Sequence, residues 1–252
     1  HRDGIERVQA ALTEQGLDGW LLFDFHEQNP VARSLLGLEW TTRRGFVLIP
    51  REGEPVALLH AIEGSYWQHW PWQVRNYSGW REMEAELAKL IADRNRLAME
   101  VSAGSSVPTL DLVPSGIVGL IEATGVTLVN SGNLVSTFYS TWSEEQLRLH
   151  RIGARTVEAI AREAFDRARQ AVLDGDPLSE AAVRAWITDE LATRGLPEGR
   201  DSSVAVGANA ANPHYDPGER GALLEAGSLV LIDLWGKAPG GVFADQTWMG
   251  YL

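Results

Sequence analysis

The chain has 252 residues, enough for two domains, and its 44% hydrophobic and 22% charged content is that of a globular protein rather than a disordered one. With 22 Lys and Arg against 34 Asp and Glu, the net charge is −12 at pH 7. Because a negative protein repels phosphate groups, neither nucleic acid nor a membrane is expected as a partner. The absence of cysteine excludes disulfides and thiolate sites, so any metal requires carboxylate or imidazole ligands.

The chain also lacks the patterns of membrane or secreted proteins. No uninterrupted apolar stretch approaches about 18 residues, and the residues from His1 to Gly4 do not read as the start of a signal peptide. These features predict a cytoplasmic protein.

The first half alternates short apolar runs with helical patterns, which is typical of an α/β domain. Strands are predicted at Trp20 to Phe23, Gly45 to Ile49, Pro55 to His60 and Arg96 to Val101, and helices at Ile5 to Gln15, Arg81 to Ala92 and Pro114 to Ala123. The turn from Arg51 to Glu54 lies between two apolar runs and indicates an antiparallel hairpin, so the sheet is expected to be mixed.

The pattern changes near residue 141, where Ser143 and Gln146 form the signature of a capping box at the start of a long helix. A second helix is predicted from Ser179 to Arg194, with Gly195 just after its end. Strand-like segments follow at Ser202 to Val206, Ser228 to Asp233 and Val242 to Met249. The expected domains are therefore an α/β domain with a mixed sheet, residues 1–141, and an α+β domain of helices on an antiparallel sheet, residues 142–252.

Two acidic residues stand on either side of a glycine-rich loop: Asp233 ends one strand-like segment, and Asp245 lies near the start of the next. If the loop is centred on Pro239, the two lie directly opposite each other on one face of a hairpin. Opposed carboxylates repel by a few tenths to about 1 kcal/mol, so a shared proton, a basic partner or a divalent cation must compensate. Oxygen ligands favour Mn²⁺, Mg²⁺, Co²⁺ or Zn²⁺. Two ordinary strand-end aspartates are an equally open interpretation at this point.

A further segment, Ser203 to Tyr215, leads from a strand into a loop rich in Gly, Asn and Pro, and includes His214. An imidazole at a sheet edge can ligate metal, transfer a proton or donate to a developing oxyanion. By itself, however, a histidine that follows a proline is more often a surface turn residue.

Together these segments resemble the creatinase/prolidase branch of the pita-bread metallopeptidases, which includes aminopeptidase P and Xaa-Pro dipeptidase. The run Ser203 to His214 is similar to the family stretch that ends in Pro-His. Leu231 to Asp233, with Gly241 to Asp245, is similar to the family hairpin that carries two metal ligands. Thr141 to Glu145 is similar to the linker between the family's two domains.

The resemblance implies a creatinase-type amino-terminal domain at residues 1–141 and the first part of a pita-bread catalytic domain at 142–252. It implies two divalent ions held by Asp233 and Asp245, with Mn²⁺ expected and Co²⁺ or Zn²⁺ as alternatives, and a substrate contact by His214. The implied reaction is hydrolysis of an Xaa-Pro bond in a dipeptide or peptide by a metal-bridging hydroxide. The implied assembly is a homodimer.

The sequence also departs from the family pattern. One histidine and two glutamates of the metal site belong after Leu252, so the chain alone is expected to be inactive, as a fragment or a degenerate relative. Eleven residues separate Asp233 from Asp245 where the family has ten, which predicts a bulge or a longer loop. Trp248 stands where the family often has arginine.

Alternative functions stay open. One is a non-catalytic pita-bread protein that binds peptides or partners, and another is a metal-free amidinohydrolase of the creatinase kind that uses His214. A glycosidase with a carboxylate pair is a more remote alternative. No GxGxxG, Walker or G-x-S-x-G pattern supports nucleotide binding or a serine hydrolase.

Two other groups of residues are ambiguous. Trp67, Trp70, Trp72 and Trp80 are expected to form either a substrate or subunit contact or an aromatic edge of the core. The run from Asp24 to His26 is expected to serve a turn rather than to bind metal.

Overall fold

The computed structural model describes residues 2–37, 41–199 and 202–252. The chain divides between Thr141 and Trp142 into two compact units. Each unit has hydrophobic core clusters of its own. None of the helices in the described ranges has the length and hydropathy needed to span a bilayer.

The first unit is an α/β domain. Its helices are α1 (Arg2–Glu14), α2 (Pro30–Leu36), α3 (Trp80–Ile91), α4 (Ser115–Glu122) and α5 (Gly132–Phe138). Its strands are β1 (Gly19–Asp24), β2 (Gly45–Pro50), β3 (Val56–His60), β4 (Gln73–Tyr77), β5 (Arg96–Met99) and β6 (Thr127–Asn130). They form one sheet in the order β4-β3-β2-β1-β5-β6. Because β1 pairs antiparallel with β2 and parallel with β5, the predicted mixed sheet is confirmed.

Both faces of this sheet are covered, and the central strands are therefore apolar along their whole length. Every residue of β1 and β2 is buried. Trp20 and Leu22 of β1 pack in the core on one face, and Leu21 and Phe23 pack in the core on the other. Strands buried on both faces lose the alternation of polar and apolar residues, which is why they read as short continuous apolar runs.

Four elements of the first unit have no clear signal in the sequence. β4 and β6 are the edge strands, and both carry polar residues. The helices α2 and α5 have seven residues each, too short to be stable without tertiary packing. α2 forms because the side chain of Asn29 caps its first backbone N–H groups and Pro30 opens its first turn.

The second unit packs two helices on an antiparallel sheet, as predicted. Its elements are α6 (Glu144–Leu173), α7 (Glu180–Thr193), β7 (Ser203–Val206), β8 (Leu229–Gly236) and β9 (Ala244–Tyr251). The capping box that starts α6 is present, because Ser143 Oγ accepts from Gln146 N and the Gln146 side chain accepts from Ser143 N. Gly195 follows α7 with φ 86°, a conformation that favours glycine. The sheet order is β7-β8-β9.

The two faces of this small sheet differ. Along β8, buried residues alternate with half-exposed ones. Val230, Ile232 and Leu234 pack in the core with the helices. Asp233 and Trp235 lie on the opposite face, because successive strand residues point to opposite sides. The acidic pair is therefore presented on the face that does not pack against the helices of this unit.

Candidate functional site

Asp233 and Asp245 lie on one face of the β8–β9 ladder but are not directly opposite each other. Asp233 pairs with Thr247, and Asp245 pairs with Trp235. The predicted direct opposition is therefore wrong. The two aspartates are diagonal neighbours, for which Cβ atoms typically lie roughly 7–8 Å apart or somewhat closer.

The shape of the hairpin loop explains the shift in register. The loop contains a turn at Ala238–Gly241, in which the N–H of the last residue donates to the carbonyl of the first at 2.9 Å. Gly240 has φ 74°, the conformation that a type II turn requires at its third residue. One residue, Lys237, joins β8 to this turn, whereas two, Val242 and Phe243, join the turn to β9. The loop is therefore asymmetric, and the pairing is continuous without a bulge.

The charges of the two carboxylates interact. Partial removal of its carboxyl group from water raises the pKa of Asp245, and the negative charge of Asp233 raises it further, while a backbone hydrogen bond at Gln246 lowers it. Asp233 Oδ1 accepts a hydrogen bond from Thr247 Oγ1 at 2.7 Å. In the part of the chain that the structure describes, no ion pair involves either aspartate. The sequence left three ways to offset the repulsion: a shared proton, a basic partner or a divalent cation. Among the described residues, no basic side chain takes that role.

The pair offers carboxylate oxygens on a shared face, and this fits a divalent cation of the Mn²⁺ type. It does not form a complete metal site by itself. Within residues 2–37, 41–199 and 202–252, no three His, Cys, Asp or Glu side chains are grouped so that they could hold an ion. A cation at this pair would need further ligands.

His214 lies in the loop that follows β7, and its side chain is exposed. Its backbone N–H donates to Asn212 Oδ1 at 3.0 Å. Its ring has no hydrogen-bond partner among the described residues. The structure thus brings Asp233 and Asp245 together but does not group His214 with them.

The loop with His214 is attached to a buried carboxylate for which the sequence pattern gives no signal. Glu180 Oε1 accepts from Val206 N at 2.7 Å and from Asn209 Nδ2 at 3.0 Å. Its Oε2 accepts from Tyr215 Oη and from Ala222 N, both at 2.7 Å. In the sequence Glu180 reads as an ordinary acidic residue in the first turn of a helix.

These hydrogen bonds decide the charge state of Glu180. Burial raises the pKa of its carboxyl group, but the bonds from Asn209, Tyr215, Ala222 and Val206 outweigh burial and hold the pKa below its usual range. The adjacent carboxylate raises the pKa of Tyr215 through the hydrogen bond that the phenol donates. Glu180 is therefore an ionised acceptor for the loop.

The tryptophans of the first unit are mainly core residues. Trp67 is buried, and the ring centroids of Trp67 and Trp70 are 5.1 Å apart. Trp72 meets Trp70 edge-to-face, with the ring centroids 4.8 Å apart. Trp80 is exposed and has the guanidinium of Arg81 over its ring. The aromatic core edge is thus the better description for Trp67 and Trp70.

The run from Asp24 to His26 serves a turn, as expected. The buried carboxylate of Asp24 accepts hydrogen bonds from Asn29 N and from Thr41 Oγ1. His26 is exposed and has φ 53°, so it lies in the left-handed region of the turn between β1 and α2. Both oxygens of Asp24 are therefore occupied by donors of the protein.

The chain is thus a two-domain protein. An α/β domain is followed by helices on an antiparallel sheet, and the outer face of that sheet carries an acidic pair. Comparison with protein families finds two matches. Residues 5–137 match the creatinase/prolidase N-terminal domain, and residues 152–252 match metallopeptidase family M24. The chain belongs to the creatinase/prolidase branch of family M24.

Solved structures share this fold. Dipeptidase PepE from Mycobacterium ulcerans matches with a TM-score of 0.71 and 19% identity, over 100% of this chain and 64% of that chain. Xaa-Pro dipeptidase from Bacillus anthracis matches with a TM-score of 0.64 and 20% identity, over 100% and 65%. X-prolyl aminopeptidase from Caenorhabditis elegans, described as a cytosolic enzyme with a di-nuclear active site, matches with a TM-score of 0.65 and 15% identity, over 99% and 40%.

At these identities the likeness shows the fold alone. The chain spans just under two thirds of the length of the first two structures, 64% and 65%. A comparison with curated protein sequences finds no match.

Proposed function

We propose that this chain belongs to a metal-dependent exopeptidase that hydrolyses Xaa-Pro bonds, and that Asp233 and Asp245 are two of its metal ligands. The observation that carries this proposal is the acidic hairpin: the two carboxylates share a face, and partial desolvation together with the charge of Asp233 raises the pKa of Asp245. A divalent cation would relieve that repulsion. The match of residues 152–252 to family M24 supports the same reading.

Bound divalent ions would supply a hydroxide nucleophile at neutral pH and polarise the peptide carbonyl. The residues of this chain would position those ions. Thr247 holds one oxygen of Asp233, which fixes the plane of that carboxylate and leaves its second oxygen for a cation. His214, exposed on its loop, would donate a hydrogen bond to the oxyanion that develops on the scissile carbonyl.

Four finer points belong to this proposal: the metal ion, the substrate, the location and the assembly. The ion is Mn²⁺ in preference to Co²⁺ or Zn²⁺, and the substrate is a dipeptide or short peptide with proline after the scissile bond. The protein is a cytoplasmic homodimer. Light scattering of the purified protein tests the dimer, and a mass equal to one chain would contradict it.

Metal binding tests the role of the acidic pair. Titration of the chain with Mn²⁺ by calorimetry, together with elemental analysis, should show binding that Asp245→Asn weakens by more than about tenfold. Asp189→Asn is the matched control, because Asp189 is an exposed aspartate on α7, away from the hairpin. Equal Mn²⁺ affinity in wild type and Asp245→Asn would mean that Asp245 is not a metal ligand.

Hydrolysis tests the reaction. The intact protein to which this chain belongs is incubated with Ala-Pro and Mn²⁺, and release of free proline is measured in wild type, Asp245→Asn and His214→Gln. Release that depends on Mn²⁺, Asp245 and His214 is the expected result. If Mn²⁺ binds with the predicted dependence on Asp245 but no proline is released, the metal site stands and the peptidase assignment fails.

One observation favours a second candidate, a non-catalytic peptide-binding protein. Within the described residues no group of three metal-ligating side chains is present. This candidate predicts that Ala-Pro binds without Mn²⁺, is not cleaved, and binds equally well to Asp245→Asn. A metal-free amidinohydrolase gives the aspartate pair no role, and no contact of these residues favours it.

A further inference from the structure

The segment between β7 and β8 contains His214, and one buried side chain holds it at several points. The N–H of Val206 donates to Glu180 just before the segment begins, and the N–H of Ala222 donates to Glu180 sixteen residues later along the chain. Between them, Asn209 and Tyr215 donate from their side chains. Residues 207–222 thus form a loop whose two ends are joined by one carboxylate. Tyr215, the residue next to His214, is bound by the same carboxylate.

The backbone around Glu180 strengthens this attachment. Glu180 N donates to Ala222 O at 2.9 Å, and Ala181 N donates to Arg220 O at 3.1 Å. An isolated antiparallel bridge joins Ser179 to Leu223. The start of α7 and the end of the loop therefore run side by side.

The loop packs so closely on the carboxylate that a side chain would not fit. Gly221 has φ +69°, and a Cβ built on it would lie 2.4 Å from Glu180 Oε2. A glycine is thus required both by the left-handed backbone and by the space that Glu180 occupies. The exposed fraction of Glu180 is 0%.

The donors around Glu180 specify a carboxylate rather than another polar side chain. Each oxygen accepts one backbone N–H and one side-chain donor. A glutamine would place an NH₂ group against a backbone N–H, and two donors that face each other cannot form a hydrogen bond. An aspartate is one methylene shorter, so it would not reach both ends of the loop.

Stabilisation of α7 does not account for these contacts. The N-cap of α7 is Ser179, whose Oγ accepts from Ala182 N at 3.2 Å. Glu180 follows in the first turn, where a carboxylate also benefits from the helix dipole. Even so, both of its oxygens accept hydrogen bonds from residues of the loop and its ends rather than from α7.

We propose that Glu180 is the positioning residue for His214: its carboxylate closes the 207–222 loop and holds Tyr215, so that the neighbouring imidazole is presented in one place. This inference rests on the proposed function, in which His214 contacts the substrate. Glu180 itself touches neither substrate nor metal in this proposal. Its effect on the reaction passes entirely through the loop.

The first test measures the loop directly. Hydrogen exchange of peptides from residues 207–222 is compared in wild type, Glu180→Gln and Glu190→Gln. Glu190→Gln is the matched control, because Glu190 lies on the same helix but its carboxylate pairs with Arg194. Exchange of the loop should accelerate about tenfold or more in Glu180→Gln only, while peptides of α6 stay unchanged. Unchanged loop exchange in Glu180→Gln would overturn the proposal.

Two milder variants keep the test decisive if Glu180→Gln does not fold. Tyr215→Phe and Asn209→Ala each remove a single side-chain donor from the carboxylate. Each should accelerate exchange in residues 207–222 by a few-fold and leave α6 unchanged. Acceleration spread evenly over the whole second unit would contradict a role confined to the loop.

The second test reports on the imidazole. In protein with ¹³C-labelled histidine, the His214 ring signal is identified by its loss in His214→Gln. It should shift or broaden in Glu180→Gln and stay in place in Glu190→Gln. A His214 signal that is the same in wild type and Glu180→Gln would mean that the carboxylate does not position the ring.

Activity separates this inference from the proposed function. In Mn²⁺-loaded protein that releases proline from Ala-Pro, Glu180→Gln should lower kcat about tenfold or more while Mn²⁺ affinity is unchanged. Loss of Mn²⁺ affinity as well would indicate a general structural defect and overturn the inference. If wild type releases no proline, the proposed function fails, whereas loop exchange and the His214 signal still decide whether Glu180 positions the ring.

Discussion

The two units of this protein each contain a glutamate without exposed surface, Glu100 in the first and Glu180 in the second. Their pKa values move in opposite directions. Burial raises the pKa of Glu100, and hydrogen bonds from three side chains only partly offset it. Burial also raises the pKa of Glu180, but there the hydrogen bonds outweigh it, and the net pKa is lowered.

The surroundings of Glu100 explain why its pKa rises. Its Oε1 accepts from Trp20 Nε1 at 2.7 Å and from Ser131 Oγ at 3.0 Å. Its Oε2 accepts from Asn29 Nδ2 at 2.8 Å. All three donors are neutral side chains, and the carboxylate lies at the end of β5 among core residues of the sheet. Glu100 thereby joins β1, the cap of α2 and the start of α5.

Glu180 has one donor more, and two of its donors are backbone N–H groups. Backbone donors are fixed by the fold, so they require little further ordering to stabilise the charged form. Glu180 also lies less deep in the fold than Glu100, so the contrast teaches that depth of burial and the number and kind of donors together decide the direction in which the pKa of an enclosed carboxyl group moves.

Removal of Glu100 should have the largest effect. Glu100→Ala leaves the donors of Trp20, Asn29 and Ser131 without their acceptor, and each buried unpaired group costs roughly 1–3 kcal/mol. We expect the free energy of unfolding of the first unit to fall by about 3 kcal/mol or more. Urea unfolding, followed by hydrogen exchange in peptides of β1 and β5, measures it. A loss below about 1 kcal/mol would mean that water replaces the carboxylate, and that the site is not as enclosed as its burial indicates.

The two glutamates should respond to pH with opposite sign. For Glu180, the folded pKa lies below its ordinary value of 4.5, so its contribution to stability is present above pH 4.5 and is lost as the pH falls through the folded pKa. For Glu100, the folded pKa lies above 4.5, so its contribution is present below pH 4.5 and is lost as the pH rises through the folded pKa.

Urea unfolding between pH 3 and pH 8, read separately in peptides of β5 and β7, checks both signs. Glu180→Gln should remove the acid loss of stability in the second unit and leave the first unit unchanged. Glu100→Gln should remove the alkaline loss in the first unit only. If both units gained stability as the pH rose, the raised pKa of Glu100 would be contradicted.

Removing one donor from each network sharpens the comparison. Tyr215→Phe takes a hydrogen bond from an ionised carboxylate and should cost the second unit about 1–2 kcal/mol at pH 7. The raised pKa of Glu100 favours its neutral form, and hydrogen bonds to neutral groups are weaker than those to charged ones, so for Ser131→Ala we expect about half that loss in the first unit. Urea unfolding at pH 7 measures both. A larger loss for Ser131→Ala would indicate that Glu100 is ionised.

The sequence predicts the parts of this structure that depend on local patterns. The mixed sheet, the capping box of Ser143 and Gln146, and the antiparallel strands of the second unit follow from apolar periodicity and turn chemistry. The residue types of the acidic hairpin are readable too. Its register is not, because one residue leads into the turn at Ala238–Gly241 and two lead out, a difference that spacing alone does not reveal.

The two glutamate networks escape sequence reasoning for a different reason. Glu100 binds Trp20, 80 residues away, and Glu180 binds Ala222, 42 residues away. No local pattern marks a carboxylate whose donors come from distant elements. Gly221 is the residue that comes closest to a sequence signal, because its left-handed backbone lies against Glu180. A glycine in a loop is common for many other reasons, however, so it does not identify the contact.

The acidic hairpin extends the comparison to carboxylates with few donors. Asp233 accepts one side-chain hydrogen bond, from Thr247, and the pKa of Asp245 is raised by burial and by the charge of Asp233. A raised folded pKa means that the stability linked to Asp245 is present below its ordinary value of 3.8 and is lost as the pH rises through the folded pKa. At neutral pH without metal, the pair therefore destabilises the fold slightly.

Asp245→Asn should thus stabilise the metal-free chain at pH 7, by a few tenths of a kcal/mol, because Asp245 is exposed and solvent screens the repulsion. With Mn²⁺ the order should reverse, because wild type gains binding energy that the variant lacks. Thermal unfolding in chelator and in excess Mn²⁺ measures both, with Asp189→Asn as the control that should match wild type in each. If Asp245→Asn is less stable than wild type in chelator, repulsion between the two aspartates does not destabilise the metal-free fold. That result would count against a cation between them.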